Sequence, residues 1–399
     1  MEQLTFASVR ETMQALFPEA VALRRELHRC PELAFSEKAT AARIRAWLTD
    51  CGIELLSAEP DTAVVGRVRG GFAGPVILVR QDIDALPMAE QTGLPFSSET
   101  EGVCHSCGHD IHTASLLLLA KALQQHRQGL HGTMLLAFQP AEETAAGAKA
   151  MFAAGFGQGE TAYDQVIGFH TEPSLTVGQI GIACGPCNAS TDIVHLSVRS
   201  QGGHGAHPYR CADPVATAAY LITQLQTVIS RENPALRPAV FTIGSIHGGT
   251  AENIIPTEVR MGGTLRSFDE DSRHNMWRSI QRITEHCCAA MRAEGAAEIL
   301  EGVPVLYNDP KLCEILREAA TKTLGAEYVL DFPASPGSDD FSCFLEKAPG
   351  FQFRVGTGND SPESRLGIHN PKNIFDEKAI RVGAEALAAY ILKEMGGAL

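Results

Sequence analysis

Apolar positions in the first part of the chain switch between two spacings, one helical and one typical of strands. They recur at helical spacing over residues 8–28 and 112–126, which predicts two helices. Ser36 is expected to cap a further helix that ends at Gly52, and a short helix is predicted over residues 147–154. Runs of β-branched and other apolar residues predict four strands, over residues 63–68, 76–79, 133–138 and 166–169.

This alternation of helices and strands is typical of an α/β domain with a mainly parallel sheet. In such a sheet, functional groups gather in the loops at the carboxyl ends of the strands. From about Gly185 the pattern changes to strand, helix, two strands and helix, predicted over residues 193–200, 214–230, 239–246, 258–267 and 272–294. That order fits a small α+β domain with helices on one face of its sheet.

The α/β pattern resumes beyond Pro304, with helices predicted near residues 310–323 and 377–395. We therefore expect a discontinuous α/β domain, interrupted by an inserted α+β domain. The predicted boundaries are 1–186 and 301–399 for the α/β domain and 187–300 for the insert. A length of 399 residues agrees with this division, since one domain typically takes about 150 residues.

The composition excludes several classes of partner. The chain has 33 basic and 47 acidic residues, a net charge of −14, and no basic stripe of the kind that binds nucleic acid. It also lacks a polybasic membrane-binding segment, an uncharged apolar stretch of about 18 residues and the pattern of a signal peptide. Eleven cysteines, an odd and sparse number for this length, indicate reduced thiols. We therefore expect a cytoplasmic protein that binds neither nucleic acid nor membrane.

The densest group of metal-binding side chains lies between Cys104 and His112, just before a predicted helix. This segment contains two cysteines, three histidines and an aspartate. Thiolate, imidazole and carboxylate groups are the ligands of borderline divalent ions. Three other strand ends of the α/β pattern carry similar groups, namely Asp82 and Asp84, Glu142 and Glu143, and His170. The sequence therefore predicts a divalent-metal site at this edge of the sheet.

Spacing within the strand ends predicts how these groups point. Asp82 and Asp84 are two apart on extended backbone and should face one site. The adjacent Glu142 and Glu143 should project in roughly opposite directions, so that one binds metal while the other faces the substrate. The strand over residues 166–169 is expected to end at His170.

Eight short strings occur in a fixed order along the chain: RQDIDALP, CHSCGHDIHTA, QPAEE, GGHGAHP, GGTAENIIP, GTLRSF, GSDDFS and IHNP. In this combination the sequence resembles the metal-dependent amidohydrolases that include hippurate hydrolase, bacterial N-acyl-amino-acid hydrolases and plant auxin-conjugate hydrolases. These enzymes are relatives of aminoacylase and of glutamate-releasing carboxypeptidase. The resemblance covers nearly the whole chain. It implies a two-metal, peptidase-like catalytic domain and an inserted lid domain that commonly mediates dimerisation.

The resemblance also implies roles for individual residues. It places the ligands of two divalent ions, zinc or manganese, at Cys107, His109, Glu143, His170 and His369, with the cysteine bridging or nearly bridging the ions. Glu142 matches the general acid/base, and Asp84 matches the carboxylate that orients a ligand histidine. The corresponding lid positions are His204, Asn253 and Arg266.

Together these roles imply hydrolysis of the amide bond of a small N-acyl amino acid, with an acetyl, benzoyl or similar group, into a carboxylic acid and a free amino acid. Glu142 would pass a proton from water to the leaving nitrogen. His204 would donate a hydrogen bond to the developing oxyanion. Asn253 and Arg266 would bind the substrate, and Arg266 would do so by pairing with the substrate's α-carboxylate. The resemblance also implies a homodimer formed through the lid, which we expect to complete the partner's site. One departure from these relatives is Asp339, where they usually carry the longer glutamate.

Other functions must be weighed against this interpretation. A dipeptidase or carboxypeptidase of the same fold would differ in whether the acyl side of its pocket accepts a charged amino group. A catalytically decayed metal-binding protein is disfavoured because Glu142 is present. The Cys184-Gly185-Pro186-Cys187 string has the spelling of a thioredoxin site, but a strand pattern rather than a helix follows it.

Overall fold

The computed structural model describes residues 4–399 and divides into two compact units. The first unit contains the described residues up to Gly185, together with Tyr307–Pro333 and Asp340–Leu399. Its helices are α1 (Phe6–Arg29), α2 (Lys38–Asp50), α3 (His109–His126), α4 (Gly147–Ala153), α7 (Pro310–Leu324), α8 (Ser342–Leu345) and α9 (Ala379–Glu394). Its strands are β1 (Glu54–Leu56), β2 (Val64–Arg69), β3 (Phe72–Asp82), β4 (His131–Gln139), β5 (Gln165–Thr176), β6 (Ile180–Ile182), β15 (Val329–Asp331) and β16 (Gly350–Gly358).

These strands form one eight-stranded sheet in the order β1-β2-β4-β3-β5-β16-β6-β15. The central strands β4, β3, β5 and β16 are parallel to one another, whereas β1, β2 and β6 join their neighbours β2, β4 and β16 in antiparallel register. Residues Ile77–Val79 of β3 are fully buried, as is usual for a parallel strand covered on both faces. Residues Leu116–Leu119 of α3 contribute to the same hydrophobic core. The mainly parallel α/β sheet is therefore confirmed for its centre.

Two local expectations for this unit were wrong, and one of its strands was not predicted. Ser36 does not cap α2, because the residue before the helix is Glu37, whose side chain makes no capping hydrogen bond. Strand β5 does not end at His170 but continues to Thr176, since β16 pairs with it along that length. Strand β16 itself was not predicted, because its glycines, glutamine and arginine interrupt the apolar pattern.

The second unit contains Pro186–Leu306 and Ala334–Asp339. Its helices are α5 (Pro214–Thr227) and α6 (Glu270–Ala290). Its strands are β8 (Asp192–Arg199), β9 (Gly203–His204), β10 (Ala239–Gly248), β11 (Ile254–Ile255), β12 (Glu258–Ser267) and β13 (Glu294–Glu301). Two further short strands, β7 (Gly185–Asn188) and β14 (Leu306–Asn308), contain two of the four points where the chain passes between the units.

Four strands of the second unit form an antiparallel sheet in the order β10-β12-β8-β13. Val194, Leu196 and Val198 alternate along β8 and are buried in one core with residues of α5 and α6. The α+β character of this unit follows from that packing. Strand β13 was not predicted, because glutamates interrupt its short apolar stretch. The predicted insert of 187–300 omits Pro186 and residues 301–306 and 334–339, which belong to this unit.

Among residues 4–399, no helix combines the length and the apolar character that crossing a membrane requires.

Candidate metal centre

The predicted metal ligands all lie in the first unit, in loops and strands beside its central parallel strands. Cys107 precedes α3 and His109 is the first residue of that helix. Glu143 follows β4, and His170 lies within β5. His369 lies in a loop before α9, where its backbone N–H donates to the Ser106 carbonyl at 2.9 Å.

Gly108 allows the two ligands on either side of it to approach β5. Its φ of +91° is a left-handed conformation that favours glycine. A Cβ at this position would lie 2.7 Å from the Thr171 hydroxyl oxygen. That hydroxyl instead donates to the Cys107 carbonyl at 2.7 Å, which ties the Cys107 loop to the strand that carries His170.

The five predicted ligands form two groups of three that share one residue. Within each group the potential ligand atoms lie within 4.8 Å of one another. The first group is Cys107, His109 and His170, and the second is Cys107, Glu143 and His369. A shared thiolate and two sets of nitrogen and oxygen donors are suited to two neighbouring divalent ions.

Two atoms in these groups are buried without a hydrogen-bond partner among the described residues. They are Nε2 of His109 and Oε1 of Glu143. Buried polar atoms are rarely left unsatisfied, and each such exception calls for an explanation. A bound cation would provide a partner for both atoms, so the residues present fit a metal.

The hydrogen bonds behind two of the histidines fix which ring nitrogen is available. His109 donates from Nδ1 to the Asp84 carbonyl at 2.9 Å, and its Nδ1 lies 3.3 Å from the Asp84 carboxylate. His170 donates from Nδ1 to the Thr171 carbonyl at 2.8 Å. In the neutral form of each ring Nε2 is therefore the acceptor, and Nε2 of His170 lies 3.3 Å from the Cys107 sulfur. Metal-binding histidines are commonly oriented in this way.

The pKa values of the three ligands in the first group shift in different directions. Burial raises the pKa of the Cys107 thiol, and the nearby Glu143 carboxylate adds to this effect. Burial and the neighbouring His112 lower the pKa of His170, which keeps that ring in the neutral, metal-binding form. For His109, burial is outweighed by the Asp82 carboxylate and by Cys107, which raise its pKa well above the usual range. A buried thiol readily becomes a ligand when a cation compensates its charge.

The predicted lid residues lie in the second unit, where two of them come together. The short pairing of β9 with β11 sets His204 opposite Ile254, and the Gly205 N–H donates to the Asn253 carbonyl at 2.8 Å. His204 and Asn253 line a common cavity of about 700 Å³. Arg266 lies on β12, outside the residues that line this cavity, and donates to the Pro336 carbonyl at 3.0 Å.

Comparison with known proteins agrees with this arrangement. The model of the peptidase family M20/M25/M40 matches residues 78–393. The chain belongs to this family. It is 39% identical over 376 residues to a protein of Bacillus subtilis named N-acetylcysteine deacetylase, covering 94% of this chain and 96% of the relative. It is also 34% identical to thermostable carboxypeptidase 2 of Saccharolobus solfataricus, covering 94% of each chain.

A solved member of the M20 family has a similar structure. The YXEP protein of Bacillus subtilis, described as a dinuclear metal-binding peptidase, superimposes with a TM-score of 0.83 at 35% identity. The superposition covers 95% of this chain and 98% of that one. The family resemblance inferred from the sequence and the metallohydrolase class are therefore confirmed, and two divalent metal ions are supported.

Sequence reasoning missed a hydrogen-bonded relay behind the metal ligands of this M20-family chain. His112 donates from Nδ1 to the Asp82 carboxylate at 2.6 Å and accepts at Nε2 from the Thr171 N–H at 2.9 Å. Burial disfavours the charged form of Asp82, yet His109, His112 and Arg80 hold its pKa well below the usual range. The available signal was the spacing of His112, which lies one helical turn beyond His109.

The adjacent glutamates of this M20-family chain do not point in opposite directions. Glu142 Oε2 lies 4.0 Å and Glu143 Oε1 lies 3.9 Å from the same atom, Nε2 of His109. The expectation was wrong because the two residues lie in a turn rather than on extended backbone. The Ala145 N–H donates to the Glu142 carbonyl at 2.7 Å, which closes that turn.

Proposed function

We propose that this protein hydrolyses the amide bond of N-acyl amino acids at a two-metal site and releases a carboxylic acid and a free amino acid. The observation that carries the proposal is the pair of ligand groups that share Cys107, with Glu142 beside them. A relative that is 39% identical is named N-acetylcysteine deacetylase, which supports an N-acyl amino acid as the substrate.

The proposed ligands are Cys107, His109, Glu143, His170 and His369, and the proposed ions are zinc or manganese. A pair of such ions, when bound, supplies an activated water and polarises the amide carbonyl. Asp84 holds His109 in the tautomer that leaves Nε2 for the metal. Its carboxylate also accepts the Glu143 N–H at 3.0 Å, so one residue orients two of the proposed ligands.

Glu142 is the proposed general acid/base. Its carboxylate lies 4.0 Å from Nε2 of His109, and the residue is 9% exposed. A carboxylate beside the ligand cluster is placed to remove a proton from water and to return it to the leaving nitrogen. Transfer to nitrogen makes the amine a better leaving group.

His204 is the proposed donor to the oxyanion. Its Nδ1 accepts the Ala206 N–H at 3.1 Å, so in the neutral ring Nε2 carries the hydrogen. That tautomer can donate to a negatively charged oxygen. Asn253 is the proposed neighbouring substrate contact. Arg266 is proposed to bind the α-carboxylate, since a guanidinium offers two parallel donors to such a group.

A panel of substrates tests the function. The metal-reconstituted protein should hydrolyse N-acetyl, N-benzoyl or indolylacetyl derivatives of amino acids and should release the free amino acid. Methyl esters of the same N-acyl amino acids, which lack the free α-carboxylate, should be poorer substrates if Arg266 binds that group. No release from any N-acyl amino acid would refute the proposal.

The second candidate is a dipeptidase or carboxypeptidase, because a relative that is 34% identical is named thermostable carboxypeptidase 2. The same panel separates the two functions. Each N-acyl amino acid is paired with the dipeptide that has the same C-terminal residue and a free amino group in place of the acyl group. Faster hydrolysis of the dipeptides would favour the peptidase.

We further propose a homodimer formed through the second unit. Strand β10 is an edge of the four-stranded sheet, and its residues from Ser245 to Gly248 are exposed. An exposed edge strand is a template for pairing with a second chain. Ile246 of β10 is 51% exposed and Leu300 of the opposite edge strand is 42% exposed. The variant Ile246→Lys should have the molar mass of a monomer in light scattering, whereas the matched control Leu300→Lys should remain a dimer.

Subunit mixing tests whether His204 acts on the partner's site. Glu142→Ala and His204→Ala proteins, each nearly inactive, are mixed under conditions that exchange subunits. If His204 acts across the dimer, half of the dimers are mixed and each has one intact site, so about a quarter of all sites recover. Exchange confirmed by mass spectrometry without recovery of activity would exclude this arrangement.

A cytoplasmic location is proposed from the cysteines. All eleven are free thiols, and most are buried. Free thiols persist in reducing compartments. Fractionation of cells that produce the protein should place it with cytoplasmic markers.

A further inference from the structure

Glu37 is a buried carboxyl group for which the proposed reaction has no direct use. It is fully buried at the start of α2, yet its side chain makes no capping hydrogen bond to that helix. Instead Oε1 accepts the backbone N–H of Ala141 at 2.8 Å, 104 residues further along the chain. Its other oxygen, Oε2, is buried without a hydrogen-bond partner among the described residues.

The backbone that Glu37 holds is in an unfavourable conformation. Ala141 has φ of +55°, a left-handed value that residues with a Cβ rarely adopt. Its carbonyl accepts the N–H groups of Ala146 and Gly147 at 3.3 and 3.1 Å, which begins the turn that contains Glu142. Such conformations persist only where surrounding contacts maintain them.

The residues on both sides of Glu142 are held in the same way. The N–H of Ala141 donates to Glu37, and the N–H of Glu143 donates to Asp84 Oδ2 at 3.0 Å. Two carboxyl groups from separate parts of the chain therefore hold the backbone around the proposed general acid/base.

We propose that Glu37 is a positioning residue that fixes the direction of the Glu142 carboxylate through the left-handed turn at Ala141. This inference rests on the proposed role of Glu142 in hydrolysis. Rotation of the backbone at Ala141 would displace the Glu142 carboxylate relative to the metal ligands. Misplacement of a catalytic group by about 1 Å can reduce a rate about 100-fold.

The protonation behaviour of Glu37 agrees with a hydrogen-bonding role. Burial raises the pKa of Glu37 to about 7, although the hydrogen bond from Ala141 opposes that change. The negative charge of Asp84 adds to the increase. Both the ionised and the neutral carboxyl can accept an N–H through an oxygen. A glutamine at this position keeps such an oxygen, so Glu37→Gln should preserve the hydrogen bond from the Ala141 N–H.

Three variants test the proposal in the full-length, metal-reconstituted protein. Glu37→Ala removes the acceptor, whereas Glu37→Gln keeps it. Glu32→Ala is the matched control, because Glu32 accepts the Ala39 and Thr40 N–H groups at 3.1 and 2.8 Å and so caps the same helix without touching Ala141. If Glu37→Ala does not fold, Glu37→Met removes the acceptor while preserving most of the side-chain volume.

For an N-acyl amino acid that the wild type hydrolyses, kcat of Glu37→Ala should fall about 10- to 100-fold, with KM and metal content near those of wild type. Glu37→Gln should remain within about threefold of wild type because it can accept the same hydrogen bond. Glu32→Ala should unfold at a lower temperature with an unchanged kcat. In a Glu142→Gln background, Glu37→Ala should reduce the residual rate no further, since the two changes act through one group.

An unchanged kcat in Glu37→Ala or Glu37→Met would overturn the inference, as would an equal loss in Glu32→Ala or an additive effect with Glu142→Gln. These results are distinct from failure of the proposed function. In that case the wild type itself would not hydrolyse N-acyl amino acids.

Discussion

Replacing Cys107 by serine should remove both metal ions, whereas replacing other ligands should remove one. Cys107 is the residue that the two ligand groups share. Serine is a neutral hydroxyl at working pH and lacks the soft, anionic donor that a thiolate provides. The substitution therefore reduces each group from three strong donors to two.

The expected metal content follows from this sharing. The wild type should hold about two ions per chain and Cys107→Ser close to none. His170→Ala belongs to one group and His369→Ala to the other, so each should retain about one ion. Elemental analysis after dialysis against a weak chelator measures these values directly.

Cys104→Ser is the matched control. Cys104 is also buried and lies three residues before Cys107, but it belongs to neither ligand group. Its backbone pairs with Leu86, which the substitution leaves intact. Equal metal content in Cys104→Ser and Cys107→Ser would refute the assignment of the shared ligand.

Three further predictions test separate parts of the site and its surroundings. Glu142→Gln should keep its metal and KM, but its kcat should fall about 10²–10⁴-fold because the amide cannot carry the proton. If Glu142→Gln lost metal while Glu143→Gln kept it, Glu142 would be the metal ligand and Glu143 the general acid/base. Asp84→Asn should weaken metal binding about 10- to 100-fold in chelator competition, since Asp84 lies against His109 and the Glu143 N–H; unchanged affinity would contradict that role. Burial disfavours ionisation of Glu90, but His28 and the Ser98 N–H lower its pKa to about 2. The ionised Glu90 therefore adds to the free energy of unfolding above about pH 4.3, and this stabilisation is lost as the pH falls towards 2. Between pH 5 and 3 the midpoint of urea-induced unfolding should therefore fall further in wild type than in Glu90→Gln. Equal falls in the two proteins would contradict a stabilising role for ionised Glu90.

The sequence was informative where chemistry and local pattern coincide. Cys107 and His109 lie at the start of α3, Glu143 follows β4 and His170 lies within β5, and the parallel centre of the sheet brings such positions together. The apolar runs of β3 and β4 were clear because both strands are buried. Strands β13 and β16 carry polar residues and glycines, so their pattern did not predict them.

Contacts between distant segments could not be predicted in the same way. Nothing local in the sequence pairs Glu37 with Ala141, because the contact depends on the packing of α2 near the turn after β4. The left-handed conformation of Ala141 has no local signal either, since glycine is the residue that normally marks it. Likewise His204 and Asn253 meet through the two-residue pairing of β9 with β11, which is too short to produce a pattern.

The central claim is that this M20-family chain hydrolyses N-acyl amino acids with two metal ions held by the shared-cysteine cluster. The most direct measurement is the initial rate of hydrolysis of an N-acyl amino acid by chelator-stripped protein during titration with manganese or zinc. The account predicts negligible activity without metal and full recovery as about two equivalents per chain are added. Full-rate hydrolysis by the metal-free protein would contradict it.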